Sequence, residues 1–191
     1  ARFMSEYIDP DVLDLDYIKS EIDAEGYCIL HDVIDPKYID LQQSRWNQKV
    51  SLTRDLKKFV RGNLFLGEEN FLSYSNIPKW NLYRYYEFLW NETDDPDLLG
   101  VHLYLNKVRN LLKGDNENRG VMLNAECYGV YVSTSCYQNE GYLQAHADGH
   151  GEDPILHYML PLSFKNSAFN DGGLVVWDKK NNKINVEDRI K

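Results

Sequence analysis

His146 and Asp148, separated by one alanine, combine the residue types and the spacing that best suit metal chemistry in this sequence. In a β-strand, residues i and i+2 point to the same face, so the imidazole and the carboxylate would converge on one point. Two histidines and one carboxylate hold non-haem Fe(II) on one face of its octahedron and leave the opposite face open. The spacing therefore indicates that His146 and Asp148 are two ligands of an iron site.

The surroundings of this pair strengthen the indication, because a His-x-Asp tripeptide alone is weakly specific. The pair stands at the end of a predicted strand and directly before a glycine-rich loop, and an Asp171-Gly-Gly turn follows further along the chain. The alternative is a surface aspartate beside a hydrogen-bonded core histidine. The context favours the metal site over that alternative.

The elements that must position the pair divide into a helical first part and a strand-rich last part. Apolar residues at helical spacing predict helices at about 14–26, 36–62, 80–90 and 95–114. Short apolar or alternating runs predict strands at about 27–30, 130–137, 142–148, 155–164 and 174–177. Antiparallel strands behind a helical lead-in predict an α+β fold, a jelly-roll barrel with the N-terminal helices packed on one sheet.

Composition, charge and cysteine usage restrict the class of protein. A chain of 191 residues suits one domain with its own core, and a net charge of -9 disfavours nucleic acid and anionic membranes as partners. The 3 cysteines form no Cys-x-x-Cys pair, so neither a zinc knuckle nor a disulfide framework is indicated. With no bilayer-length apolar run and no secretory signal, we expect a cytoplasmic protein. Nothing in the sequence determines its oligomeric state.

Three segments carry a resemblance to a known family. They are Gly141-Tyr-Leu-Gln-Ala-His146-Ala-Asp148-Gly149, His157-Tyr-Met-Leu-Pro-Leu162 and Asp171-Gly-Gly-Leu-Val-Val-Trp177. The arrangement is similar to the double-stranded β-helix core of iron(II)- and 2-oxoglutarate-dependent oxygenases, and most similar to their phytanoyl-CoA-dioxygenase-like group. The lead-in at 22–34 also resembles that group, whereas residues of about 62–120 match nothing in it.

By this resemblance, His146 and Asp148 would bind Fe(II), with 2-oxoglutarate as co-substrate and dioxygen (O2) as oxidant. A carboxylate at Asp148 implies hydroxylation-type chemistry, because related halogenases lack one there and chloride binds the iron instead. The family's distal histidine ligand and its basic anchor for 2-oxoglutarate find no match in the chain. We therefore expect a single domain, 1–191, with a helical part, 1–120, and an incomplete jelly-roll core, 121–191. His150 and His157 are the histidines nearest to the pair.

Four further residues are expected to support the cofactor or the ligands. The resemblance implies a co-substrate contact at about the position of Tyr158. The hydroxyls of Tyr131 and Ser133 lie on the polar face of a predicted strand, where they would either donate hydrogen bonds to the oxo-acid or meet water. Gln144 is in register with His146 and Asp148, and would orient an iron ligand or the substrate.

Taken together, the sequence predicts an oxygenase that hydroxylates a small molecule at an unactivated C–H bond, or cyclises or desaturates it. Succinate and carbon dioxide would be the co-products. Two other classes stay open: a cupin-type metal-binding protein with other chemistry, and a non-catalytic jelly-roll interaction protein. The first would bind metal without any effect of 2-oxoglutarate, and the second would bind neither.

Overall fold

The computed structural model describes residues 6–56, 64–66, 71–72, 78–88, 96–119, 131–148 and 155–190. Three predicted features fall on other residues and lie outside this description. They are the end of the second helix beyond residue 56, the glycine-rich loop at 149–154, and His150 within that loop.

The described part of the chain contains three α-helices: α1 (Leu15–Glu25), α2 (Pro36–Leu56) and α3 (Pro96–Leu112). The Asp14 side chain caps α1 by accepting a hydrogen bond from the Tyr17 amide, and Gly26 ends the helix in the left-handed conformation, with a φ of 87°. Proline at the first helical position begins both α2 and α3. These helices confirm three of the four predicted ones. None of these helices, as far as they are described, is both long enough and apolar enough to cross a membrane.

Each of the three helices buries apolar side chains. Ile18 of α1, Tyr38 and Trp46 of α2, and Val101 and Val108 of α3 are all buried, and α1 contacts α3. Burying a side chain of this size contributes about 1.5–3 kcal/mol to stability. Burial of these side chains stabilises the contact between α3 and α1, and α3 also contacts the segment that carries His157.

A four-stranded antiparallel sheet follows α2, composed of β1 (Leu64–Leu66), β2 (Phe71–Leu72), β3 (Pro78–Phe88) and β4 (Tyr131–Leu143). β4 pairs with β3 from the Lys79–Leu143 pair to the Phe88–Tyr131 pair. Because a strand has two hydrogen-bonding edges, β1 and β2 share the other edge of β3. The predicted helix at 80–90 is therefore wrong. Its aromatic residues favour strands, and pairing along both edges outweighs their helix-like spacing.

A bulge interrupts the β3–β4 ladder shortly before the His146 segment. Trp80 pairs with Tyr142 and Leu82 pairs with Tyr137, so four residues of β4 oppose one residue of β3. Gly141 belongs to this bulge, where a Cβ atom would lie 2.7 Å from the Asn81 carbonyl oxygen. The predicted strand break at Gly141 is thus a bulge, and β4 continues across it.

The exposure of β4 alternates as a half-buried strand should. Before the bulge Ser133, Ser135 and Tyr137 are exposed, and after it Tyr142 and Gln144 are exposed. The exposed side chains therefore fall at odd-numbered positions before the bulge and at even-numbered positions after it. β4 ends at Leu143, and the Gln144 amide adds one more hydrogen bond, to the Pro78 carbonyl oxygen at 3.1 Å. The predicted strand at 142–148 is consequently regular only at its start.

A second, two-stranded antiparallel sheet pairs β5 (Val175–Trp177) with β6 (Lys183–Asn185) and confirms the strand predicted at 174–177. The Asp171-Gly-Gly turn before it is also confirmed, with positive φ at Gly172 and Gly173. The amide of Lys179, in the hairpin turn, donates to the Glu25 carbonyl oxygen at 3.1 Å. This hydrogen bond attaches the hairpin to the C-terminal end of α1.

The segment at 155–164, predicted as a strand, has no regular secondary structure. The exposure nevertheless alternates along it: Leu156, Tyr158 and Leu160 are half-buried, and His157 and Met159 are exposed. The predicted strand at 27–30 is likewise irregular. The described residues thus form helices and two small antiparallel sheets without a closed barrel, and the jelly roll stays a prediction.

Lys79 of β3 provides a test of whether one side of the β3–β4 sheet is shielded from water. Only 4% of its surface is exposed, and burial, together with the positive charge of Arg84, lowers its pKa from 10.5 to about 8. Between these values the unfolded chain binds more protons than the folded chain, so stability rises with pH. Relative to Lys79→Met, the free energy of unfolding of the wild-type protein should increase between about pH 8 and about pH 10. Denaturant unfolding across this range measures the difference, and parallel profiles for the two proteins would contradict the burial of a charged lysine.

Candidate functional site

Three chemically active side chains meet beyond the end of β4. His146 Nε2 lies 3.4 Å from Asp148 Oδ1, and His157 Nε2 lies 3.3 Å from Asp148 Oδ2. The side chain of His146 is 26% exposed, whereas those of Asp148 and His157 are each 53% exposed. The predicted pair thus stays together and gains a second imidazole, from one of the two histidines nearest to it in sequence.

The orientation of the His146 ring follows from its other nitrogen. Nδ1 lies 2.9 Å from the backbone carbonyl oxygen of Gln144, and a carbonyl oxygen can only accept, so Nδ1 carries the proton. In the neutral ring, Nε2 then directs a lone pair toward Asp148. Two electron-pair acceptors this close are stable only when a proton or a cation lies between them, and a backbone-bonded Nδ1–H is the usual support of a metal-ligating histidine.

Helix α3 holds the segment that carries His157. Arg109 Nε donates a hydrogen bond of 2.7 Å to the Leu156 carbonyl oxygen. The Tyr158 hydroxyl donates to the His102 carbonyl oxygen at 3.4 Å and lies 3.3 Å from His102 Nδ1. Both neighbours of His157 in the chain are therefore fixed against the same helix.

Tyr158 is positioned to remain a neutral hydroxyl. Burial raises its pKa well above the ordinary value, and the positive charge of Arg109 offsets this only in part. Its ring stacks on the imidazole of His102, with centroids 5.7 Å apart and an interplanar angle of 27°. Tyr158 therefore lies on the helix side of the segment, opposite the exposed side that carries His157, and its contact with an oxo-acid stays a prediction.

The remaining predicted residues lie along β4 and beyond its end. Gln144 contacts His146 through its backbone oxygen, and its side chain is exposed. Ser133 is exposed on the strand that leads to the cluster, and its neighbour Ser135 accepts a hydrogen bond from Arg84 at 3.1 Å. The side chain of Tyr131 lies outside the described residues. For Gln144, Ser133 and Tyr131 a direct role with the co-substrate stays a prediction.

Sequence reasoning missed the part that α3 plays. His102, Asn106 and Asn110 are buried at 6%, 3% and 0% exposure, and they recur every four residues along one helix face. The amides of Asn106 and Asn110 donate to the Arg119 carbonyl oxygen at 3.1 and 2.9 Å. A polar stripe at i, i+4 and i+8 along a predicted helix was the available signal.

A cavity of about 430 Å³ lies elsewhere, between α1 and the β5–β6 hairpin. Glu21, Glu25 and Arg189 are among its lining residues. None of the predicted site residues lines it, so the chemistry indicated by the sequence belongs to the exposed cluster and not to this cavity.

The three clustered side chains do not form a metal cage as they stand, since each imidazole faces a different oxygen of Asp148. Among the residues that the structure describes, no group of three or more His, Cys, Asp or Glu side chains is arranged to hold a metal ion. The kinds of donor nevertheless suit a divalent cation, because two imidazoles and a carboxylate are the set that non-haem Fe(II) sites use.

No protein-family model matches this sequence, and no curated protein or solved structure matches it either. The likeness to iron and 2-oxoglutarate oxygenases therefore depends on the quoted segments alone.

Separate substitutions of Asp148 and Asp178 test whether the His146–Asp148–His157 cluster stabilises the fold. Asp178 serves as the reference, because its hydrogen bonds are structural. Asp148→Ala removes two exposed contacts with imidazole nitrogens and should lower the free energy of unfolding by about 1 kcal/mol or less. Asp178→Ala should lower it clearly more, because this buried carboxylate accepts three hydrogen bonds of 2.8 Å in the hairpin turn. Urea unfolding of both variants measures the contrast. Equal losses would mean that the cluster serves the fold.

Proposed function

We propose that this chain is an iron(II)- and 2-oxoglutarate-dependent oxygenase that acts on a small molecule, with His146 and Asp148 among its iron ligands. The observation that carries the proposal is the 3.4 Å separation of His146 Nε2 and Asp148 Oδ1, with Nδ1 held by the Gln144 carbonyl. A proton or a divalent ion between these two atoms would stabilise the arrangement, and imidazole with carboxylate is the donor set of non-haem Fe(II) sites.

The donor set supports iron over softer metals. It contains imidazole and carboxylate but no thiolate, as hard or borderline divalent ions prefer. Cys28, which the structure describes, forms no disulfide. Burial and the negative charge of Glu21 raise the pKa of Cys28, which keeps that thiol protonated.

In this proposal, each residue has a limited task. Bound Fe(II), with 2-oxoglutarate and O2, would supply the oxidising power that breaks a substrate C–H bond, with succinate and carbon dioxide as co-products. Asp148 contributes the negative charge that holds the ion, and the Gln144 carbonyl fixes which nitrogen of His146 faces it. The exposure of Asp148 leaves room on its open side for an oxo-acid and a substrate. The net charge of -9 disfavours a polyanionic substrate.

The experiment is an anaerobic titration of the full chain with Fe(II), followed by stepwise addition of 2-oxoglutarate. We expect a weak visible charge-transfer band that saturates with the oxo-acid. His146→Ala and Asp148→Ala should abolish it and weaken Fe(II) binding by more than the roughly 10–100-fold that loss of an outer hydrogen-bond partner causes. His31→Ala, which changes an exposed histidine outside the cluster, is the matched control and should leave the band intact.

Two other outcomes would contradict the oxygenase. Fe(II) binding that depends on His146 and Asp148 but gives no band would favour a cupin-type metal-binding protein. Failure to bind either Fe(II) or the oxo-acid would favour a non-catalytic interaction protein.

A further inference from the structure

We propose that two copies of this chain associate through β4, whose 131–137 segment pairs antiparallel with the same segment of a second copy. This inference goes beyond the proposed function and does not depend on it, because the pairing uses the edge of the sheet and not the residues beyond the end of β4. Its support comes from the position of β4 in the sheet, from the sequence of β4 and from the placement of Arg84.

β4 lies at the edge of the four-stranded sheet, as far as the structure describes that sheet. β3 pairs with one edge of β4 from Phe88 to Lys79, and no other described strand pairs with β4. An edge strand presents a row of backbone N–H and C=O groups that can pair with another chain. β4 has 13 residues, against about 5–6 for a usual strand, so this row is long.

The 131–137 segment has none of the features with which proteins usually protect a sheet edge. Such features are charged side chains, proline and bulges. The segment contains no charged residue and no proline, and its pairing with β3 is regular from Tyr131 to Tyr137. Beyond it lies the bulge, where Asn139 and Glu140 have positive φ values of 41° and 64° and Glu140 adds a charge. A second strand could therefore pair with 131–137, and the bulge would end that pairing.

The sequence of this segment reads nearly the same in both directions. It is Tyr-Val-Ser-Thr-Ser-Cys-Tyr. In an antiparallel pair with a two-fold axis at Thr134, Tyr131 would face the second copy's Tyr137. Ser133 would likewise face the second copy's Ser135. A two-fold dimer requires a self-complementary surface, and a nearly palindromic edge strand provides one, which favours a second copy over an unrelated partner.

This pairing also keeps the two faces of the sheet in register. Odd-numbered positions would face odd-numbered ones, so the outward side chains of both copies would lie on one face. Ser133, Ser135 and Tyr137 are exposed, whereas Val132 and Thr134 are half-buried. The exposed face of one copy would therefore continue into the exposed face of the other.

Arg84 would lie close to the second copy in this arrangement. It is opposite Ser135 in the β3–β4 ladder and donates a hydrogen bond of 3.1 Å to the Ser135 hydroxyl. The second copy's Ser133 would lie on the other side of Ser135, one strand spacing of about 4.8 Å away. A charge introduced at position 133 should therefore change dimerisation according to its sign.

The mass of the full chain in solution tests the proposal. Sedimentation velocity over a concentration series in the micromolar range should show the 22.4 kDa monomer in exchange with a dimer of twice that mass. Ser133→Lys should weaken dimerisation severalfold, because it brings like charges together at two symmetric positions, whereas Ser133→Glu should strengthen it. Ser20→Lys, which changes an exposed serine of α1, is the matched control. Circular dichroism establishes that each variant is folded.

Disulfide formation tests the register of the pairing. Because Thr134 lies on the two-fold axis, Thr134→Cys would bring two cysteines directly opposite each other. Opposed residues of an antiparallel pair have Cα atoms about 4.5–5.5 Å apart, which a disulfide can bridge. We expect this variant to form a covalent dimer under mild oxidation. Tyr142→Cys, exposed but beyond the bulge, is the control that should not, and the wild-type chain gives the background from its own cysteines.

Three results would overturn the proposal. One is a wild-type chain that stays monomeric throughout the concentration series. Another is a dimer that neither Ser133→Lys nor Ser133→Glu affects, because the copies would then meet at another surface. The third is weakening by both variants, because Ser133 of the two copies would then face each other, as in a parallel pairing. None of these results bears on Fe(II) binding by His146 and Asp148, so the proposed function is tested separately.

Discussion

The antiparallel pairing of β3 with β4 is the interaction on which the rest of the described structure depends. It runs from the Lys79–Leu143 pair to the Phe88–Tyr131 pair and is extended by the bond from Gln144 to Pro78. The chain therefore leaves the sheet at a fixed point and in a fixed direction, immediately before His146. Gly141 is essential to this arrangement, because the bulge brings the backbones of β3 and β4 too close for a side chain.

The candidate site lies where the residues that follow β4 meet the 156–158 segment, which α3 holds. The sheet delivers His146 and Asp148, and the helix holds the segment that delivers His157. The polar side chains of α3 would be costly to bury without partners, but Asn106, Arg109 and Asn110 each donate to a backbone carbonyl. The exposed cluster itself contributes little to stability, since ion pairs of this kind contribute about 1 kcal/mol or less.

Local signals in the sequence predicted the features that depend on neighbouring residues. The caps at Asp14 and Gly26, the prolines that begin α2 and α3, and the Gly172–Gly173 turn each have a local physical cause. The segment at 80–90 was assigned wrongly, since its aromatic residues fit both periods and only the partner strands decide between them. Periodicity alone could not supply that information.

In the candidate site, as in the fold, the sequence predicted what depends on neighbouring residues and not what depends on tertiary contacts. His146 and Asp148 are close because they belong to one short segment, although the strand predicted to align them ends at Leu143. The approach of His157 depends on α3, which contacts residues 156 and 158 from more than forty positions away in the sequence. The alternation of exposure then decides that His157, and not Tyr158, faces Asp148. Such a contact is a property of the tertiary structure.

The most direct test of the proposed metal site is the number of imidazoles around bound Fe(II), measured by X-ray absorption spectroscopy on the anaerobic full chain. We expect His146→Ala to lower the number of imidazoles bound to Fe(II) by one relative to the wild-type protein. A number that this substitution leaves unchanged would place the ion away from His146 and contradict the proposed site.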